Sequence, residues 1–234
     1  MQPFPGQGLF FLLRHGATDW NVEHRVMGRR SIPLSDDGRR QVRSLVPHLA
    51  GLGIATVWTS PLARARETAE IVAAELGGLP VREEEGLTEV HYGSWEGKTF
   101  RDLLGDPEYH EFQIDPIRRA VPGGGETLLA VRRRIEDAMA RIARASDGAP
   151  ALVVSHGDPL RLVLAGCLRL DLAEFRRLRV DNGALSAIRL TGDWAEVKFV
   201  NMRPDLSEMI RAGERGARTE RAGALASEPV QGGG

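Results

Sequence analysis

Two hydrophobic patterns alternate along the first two thirds of the chain: short unbroken apolar runs, and longer stretches in which apolar residues recur every three or four positions. The run Leu9-Phe10-Phe11-Leu12-Leu13, closed by Arg14-His15-Gly16, predicts a buried parallel strand with polar residues at its carboxyl end. Ser35-Asp36-Asp37 predicts the cap of a helix that carries Val42, Leu45, Val46 and Leu49 and stops at Gly51 or Gly53. Ala55 to Thr59 reads as a second strand. Pro61 opens a helix through Ala65, Ala69, Val72 and Leu76, ended by Gly77-Gly78, and Pro80 to Arg82 reads as a brief edge strand. The stretch from Glu83 to Gly125 is less regular. Beyond it, Glu126 to Ala145 predicts a long helix with Leu129, Ile135, Met139 and Ile142 as its apolar stripe. Ala151 to Val154 predicts another buried strand, which leads through Ser155-His156-Gly157 into a helix carrying Leu160, Val163, Leu164 and Leu168. Ala184 to Leu190 and Ala195 to Val200 alternate about Thr191-Gly192-Asp193, the mark of a hairpin.

Strands alternating with helices imply an α/β fold, a three-layer α/β/α sandwich whose mostly parallel central sheet is covered by helices on both faces and ends in a C-terminal hairpin. Ligands of such sheets bind beyond the carboxyl ends of the strands. Two of the predicted strands end in His-Gly, at His15-Gly16 and at His156-Gly157. The expected domain covers 9–204, after a short N-terminal extension over 1–8. Composition shifts to Gly, Ala, Arg and Glu after Pro204, which predicts a disordered tail over 205–234.

Composition changes this picture in three places. The near balance of 31 basic and 32 acidic residues argues against a nucleic-acid-coating protein. All the basic residues except Lys98 and Lys198 are arginines, side chains suited to bidentate recognition of phosphate or carboxylate. The single cysteine, Cys167, lies in an apolar helical stretch and excludes an intramolecular disulfide framework. With no apolar run near the length of a membrane span, the expectation is a cytoplasmic protein without membrane partners.

Phosphoryl transfer without a metal requires a nucleophile, fixed cations for the non-bridging oxygens, and an acid for the leaving oxygen. A neutral imidazole beside an arginine meets the first two needs, and Arg14-His15 supplies both at a strand end. Metal ligation by His15, Glu89, His91 and His156 is disfavoured, because no closely spaced ligand pair occurs and arginines flank the site. Pro122-Gly123-Gly124-Gly125-Glu126 lacks the Gly-Lys-Ser/Thr ending of a P-loop and reads as a loop feeding the next helix.

Four segments together resemble the histidine phosphatase superfamily, the phosphoglycerate mutase-like proteins. They are Arg14-His15-Gly16-Ala17-Thr18 with Trp20-Asn21, Thr59 to Ala69, Leu87 to Gly97, and Ser155-His156-Gly157. The likeness runs from about Phe10 to Val200. It implies that His15 is the nucleophile and forms a phosphohistidine, that Arg14, Arg64 and His156 surround the phosphoryl group, and that Glu89 is the proton donor. Gly16, Thr18 and Asn21 match positions of the phosphate pocket. No cofactor is implied, and the partner is a small phosphorylated metabolite. A segment over about 90–125 would cover the site. The chain between Glu89 and His156 is shorter than in cofactor-dependent mutases and resembles the broad-specificity phosphatases. Two other readings stay open: a phosphoglycerate mutase, with Arg118-Arg119 gripping a second anionic group, and a non-catalytic phosphate-binding module. Phe112, Ile114 and Trp95 are candidates for an apolar wall, with core packing the alternative for Trp95. Oligomeric state is not legible.

Overall fold

The computed structural model describes residues 4–204. Six strands form one sheet: β1 (Gly6–Arg14), β2 (Thr56–Thr59), β3 (Val81–Glu83), β4 (Ala151–Ser155), β5 (Leu185–Gly192) and β6 (Trp194–Met202). Their order is β3-β2-β4-β1-β5-β6. The three pairings among β3, β2, β4 and β1 are parallel, and the two made by β5 are antiparallel. The expected α/β sandwich and its C-terminal hairpin are both present. β1 begins at Gly6 rather than Leu9, because Gly6 to Gly8 continue its ladder with β5. Phe4 is already buried in the core. The tail over 205–234 lies outside the described residues.

The unbroken apolar runs follow from a sheet that is covered on both faces. Successive side chains point to opposite sides. Phe10, Leu12 and Val153 therefore enter one core, and Phe11, Leu13, Leu152 and Val154 the other. The second core is closed by α2 (Asp36–Leu49) and α3 (Ala63–Glu75), through Val42, Leu45, Ala65, Ala69 and Val72. The first is closed by α6 (Leu128–Ser146) and α7 (Gly157–Leu168), through Ile135, Met139, Ile142, Leu160 and Val163. Cys167 is buried on α7, and burial pushes its thiol up to about 12.

The irregular stretch also holds short helices that no long apolar stripe announces: α4 (Phe100–Leu103) and α5 (Pro107–Ile114), preceded by a turn at Gly93–Trp95. Trp95 is buried and meets Tyr109 and Phe112 edge-on, with centroids 5.4 and 5.3 Å away, while its indole N–H donates to Asp106. Trp95 and Phe112 thus pack this segment onto the core, and Ile114 is 84% exposed. Arg119 pairs with Glu111.

A short helix, α1 (Asp19–Val22), follows the β1 loop. Where this loop crosses the start of α2, two glycines allow backbone-to-backbone approach. A Cβ on Gly38 would lie 2.0 Å from the Ala17 carbonyl oxygen, and one on Gly16 would lie 2.6 Å from the Gly38 carbonyl oxygen. Gly38→Ala is expected to cost about 1–3 kcal/mol, because a rigid main chain must move. Thermal melting checks this, and an unchanged midpoint would show that the loop yields freely.

Candidate active site

Three parallel strands deliver the central residues to one edge of the sheet. β1 ends in Arg14-His15, β4 in Ser155-His156 and β2 in Thr59-Ser60. Their ends are cross-linked, with His15 N–H donating to the Ser155 carbonyl (3.1 Å) and Ser60 N–H to the Val154 carbonyl (3.0 Å). The His15 and His156 rings lie 5.2 Å apart. Arg64 arrives from the first turn of α3. The structure therefore brings together residues that lie far apart in sequence.

The protonation of His15 can be read from its partners. Nδ1 lies 2.7 Å from the Gly16 carbonyl oxygen, which can only accept, so Nδ1 carries the proton. Nε2 then holds the lone pair and accepts from Arg64 Nε–H at 3.2 Å. Burial lowers the His15 pKa well below its usual value, and Arg64 and Arg14 lower it further. His15 is 1% exposed. It is a neutral imidazole with its lone pair turned into the site. Asn182 supports it by donating to its carbonyl (3.2 Å), a role that no sequence signal pointed to.

Arg64 is fully buried and held by main-chain acceptors. Its Nη1 and Nη2 donate to the carbonyls of Arg30 (2.9 Å) and Gly28 (2.8 Å). Arg14 Nη1 donates to the Val180 carbonyl at 2.8 Å. Burial lowers both guanidinium pKa values to about 10, which leaves both charged at neutral pH. His156 Nε2 is paired with Ser60 Oγ at 2.8 Å. Burial first, and Arg64 next, push its pKa well below the usual imidazole value.

Four side-chain polar atoms among the described residues are buried with no hydrogen-bond partner, and two of them are Arg14 Nε and His156 Nδ1. Orphaned polar atoms are costly in a protein interior. Two of them beside a neutral imidazole and two guanidinium groups fit a pocket for an anion with several acceptor oxygens. No group of three or more His, Cys, Asp or Glu side chains among the described residues is arranged to hold a metal ion.

Glu89 follows the turn at Glu85–Leu87, and its Oε1 accepts from the Val90 amide at 2.9 Å. Burial raises its pKa to about 7, and the charge of Asp158 adds to the rise, against Val90 N–H, Arg64 and Arg14. Asp158, two residues after His156, accepts from Tyr92 Oη (2.5 Å) and Arg161 Nη1 (2.7 Å). Burial opposes its charge, but Arg161, Arg176 and Tyr92 outweigh burial and hold its pKa below the ordinary value. Sequence reasoning missed this second carboxylate, although it directly follows His156-Gly157.

Three expected pocket positions have visible local work. Gly16 supplies the carbonyl that orients His15, and its N–H donates to Thr68 Oγ1 at 3.1 Å. Thr18 caps α1, where its side chain accepts from the Asn21 amide and Asn21 Oδ1 accepts from Thr18 N–H at 3.0 Å. That contact engages the Asn21 amide oxygen, so its NH2 group is the part of the side chain with donors to offer. The triglycine loop packs against the 91–94 segment, with Ser94 N–H donating to the Pro122 carbonyl at 2.8 Å. Glu126 accepts from the His91 amide.

A family profile, histidine phosphatase superfamily (branch 1), matches residues 10–203. The chain is 37% identical over 193 residues to a bifunctional protein of Mycobacterium tuberculosis, covering 81% of this chain and 52% of that one. It thus spans about half the length of this relative. It is 32% identical over 194 residues to the adenosylcobalamin/α-ribazole phosphatase of Escherichia coli, covering 82% and 95% of the two chains. The crystal structure of the α-ribazole phosphatase from Shigella flexneri superposes with a TM-score of 0.75 at 31% identity, covering 83% of this chain and 96% of that one. With the motif residues gathered at one sheet edge, these likenesses agree, and the chain belongs to the histidine phosphatase superfamily, branch 1.

Proposed function

We propose that the chain hydrolyses small phosphomonoesters through a phosphohistidine on Nε2 of His15, with its arginines supplying the cationic charge that a metal would otherwise provide. The observation that carries this reading is the His15 tautomer: proton on Nδ1, lone pair on Nε2, and the Arg64 guanidinium against that lone pair. In the first step the Nε2 lone pair forms a bond to phosphorus while the phosphorus–oxygen ester bond breaks. Glu89 gives its proton to the departing oxygen. Arg14, Arg64 and His156 take the non-bridging oxygens, and the two orphaned atoms gain partners. In the second step the Glu89 carboxylate removes a proton from water, whose oxygen displaces His15 from phosphorus. Inorganic phosphate leaves and the starting tautomer returns. The names of the α-ribazole phosphatase relatives agree with a phosphatase. A nucleophile that is 1% exposed favours compact substrates.

The test is an assay in EDTA on p-nitrophenyl phosphate, run beside 3-phosphoglycerate with its bisphosphate, with acid-labile, base-stable phosphoprotein trapped by rapid quench. Phosphate release with trapped label is the expected result. Isomerisation of phosphoglycerate without phosphate release would instead make the chain a mutase, and inactivity restored only by a divalent cation would overturn the metal-free reading.

A further inference from the structure

Among the described residues the Glu89 side chain makes a single hydrogen bond, to its neighbour's amide, so its position depends on the main chain that carries it. That main chain is gripped from α6. Arg134 spends all five of its guanidinium N–H groups in one place. Nη1 donates to the carbonyls of Gly86 (2.9 Å) and Thr88 (2.7 Å), and Nη2 to the carbonyl of Glu89 (2.9 Å). The remaining donors, Nε and Nη2, form a fork on Glu126 at 2.8 and 3.0 Å. Glu126 is filled in turn. Its Oε2 also accepts from the His91 amide (2.9 Å), and its Oε1 lies 3.1 Å from Nη2 of Arg29. Arg29 sits between Gly28 and Arg30, the residues whose carbonyls hold Arg64.

We propose that Arg134 and Glu126 are positioning residues that fix the Glu89 carboxyl against the Arg64-held phosphoryl site, by clamping the main chain on both sides of Glu89 and tying it to the 28–30 strap. Neither side chain is assigned to the substrate. The inference rests on the phosphatase reading above. Lysine cannot replace Arg134, because one ammonium has three donors and no fork. Glu126 without Arg134 would lose its two-donor partner and, among the described residues, keep only Arg29 as a counter-charge.

Leaving-group dependence separates a clamp on the acid from a general support of the fold. p-Nitrophenolate departs as a stable anion without a proton, whereas the alkoxide of glycerol 2-phosphate needs one. kcat/KM reports events up to formation of the phosphoenzyme, so the later water step does not mask the comparison. Arg134→Lys is expected to lower kcat/KM for glycerol 2-phosphate by about 10²-fold, the cost of displacing a catalytic group by about 1 Å. For p-nitrophenyl phosphate the loss is expected to stay within about threefold. In a Glu89→Gln background the same substitution should cost nothing further on the alkyl ester, because the two residues act as one unit. Glu126→Asp, which keeps the charge and withdraws the fork, should show the same split and serves if Arg134→Lys fails to fold. Equal losses on both esters, or full additivity with Glu89→Gln, would overturn the clamp while leaving the phosphatase reading intact. A wild-type chain inert towards both esters would overturn the two together.

Discussion

His15→Ala is expected to abolish turnover of p-nitrophenyl phosphate, with a loss on the order of 10⁴-fold or more in kcat, the scale on which removal of a covalent nucleophile acts. Among the described residues the neighbouring imidazole is that of His156, 5.2 Å away. His156 Nε2 is engaged by Ser60, and in the proposed mechanism its Nδ1 donates to a phosphoryl oxygen. The variant keeps Arg14 and Arg64, whose main-chain anchors do not pass through His15. Binding of vanadate or inorganic phosphate, measured by calorimetry, should therefore persist while trapped phosphoprotein disappears. Turnover within tenfold of wild type would remove the covalent step from the mechanism.

The second large effect concerns Glu89. An acid catalyst must hold its proton, and the Glu89 pKa stands at about 7. For an alkyl phosphate, kcat/KM should be full below that value and fall as pH rises through it, because the ionised carboxylate has no proton to give. His15 and His156 contribute no protonation above the usual imidazole range, since both are depressed well below it. The alkaline limb is therefore expected to follow Glu89. Glu89→Gln should reduce kcat/KM for the alkyl ester by about 10²–10⁴-fold and remove that limb. p-Nitrophenyl phosphate should show a much smaller loss. An alkaline limb that survives the substitution would assign the acid to another group.

The two-faced sheet was legible from sequence because Phe10 to Leu13 and Ala151 to Val154 are apolar at every position, which only a strand covered on both sides requires. Capped helices such as α2 were legible from Ser35 and from their 3.6-residue stripe. α4 and α5 were not, because a helix of four or eight residues cannot display a periodic face, and α5 is stabilised by Trp95 rather than by its own pattern. At the site, motif residues could be named because their chemistry is carried by rare side chains at strand ends. Asn182 reaches His15 across 167 positions of chain, Asp158 reaches Tyr92 across 66 and Arg134 reaches Glu89 across 45, and spacing alone encodes none of that. Gly16 was expected to meet substrate, and its visible role is to orient the His15 ring.

The Gly16 carbonyl has a consequence for the energetics of an adduct on His15. With Nδ1 still protonated and hydrogen-bonded, a phosphorylated ring is an N-phosphoimidazolium, and the group expelled from phosphorus is a neutral imidazole rather than an imidazolide anion. The phosphoryl-donor potential of the adduct is thus set by a main-chain atom that no side-chain substitution deletes. Water and an alcohol can both receive the phosphoryl group from such an adduct, so the partition between hydrolysis and transfer depends on which acceptor reaches phosphorus. Substitutions that change which acceptor reaches phosphorus can then exchange one outcome for the other while the His15–Gly16 contact stays constant.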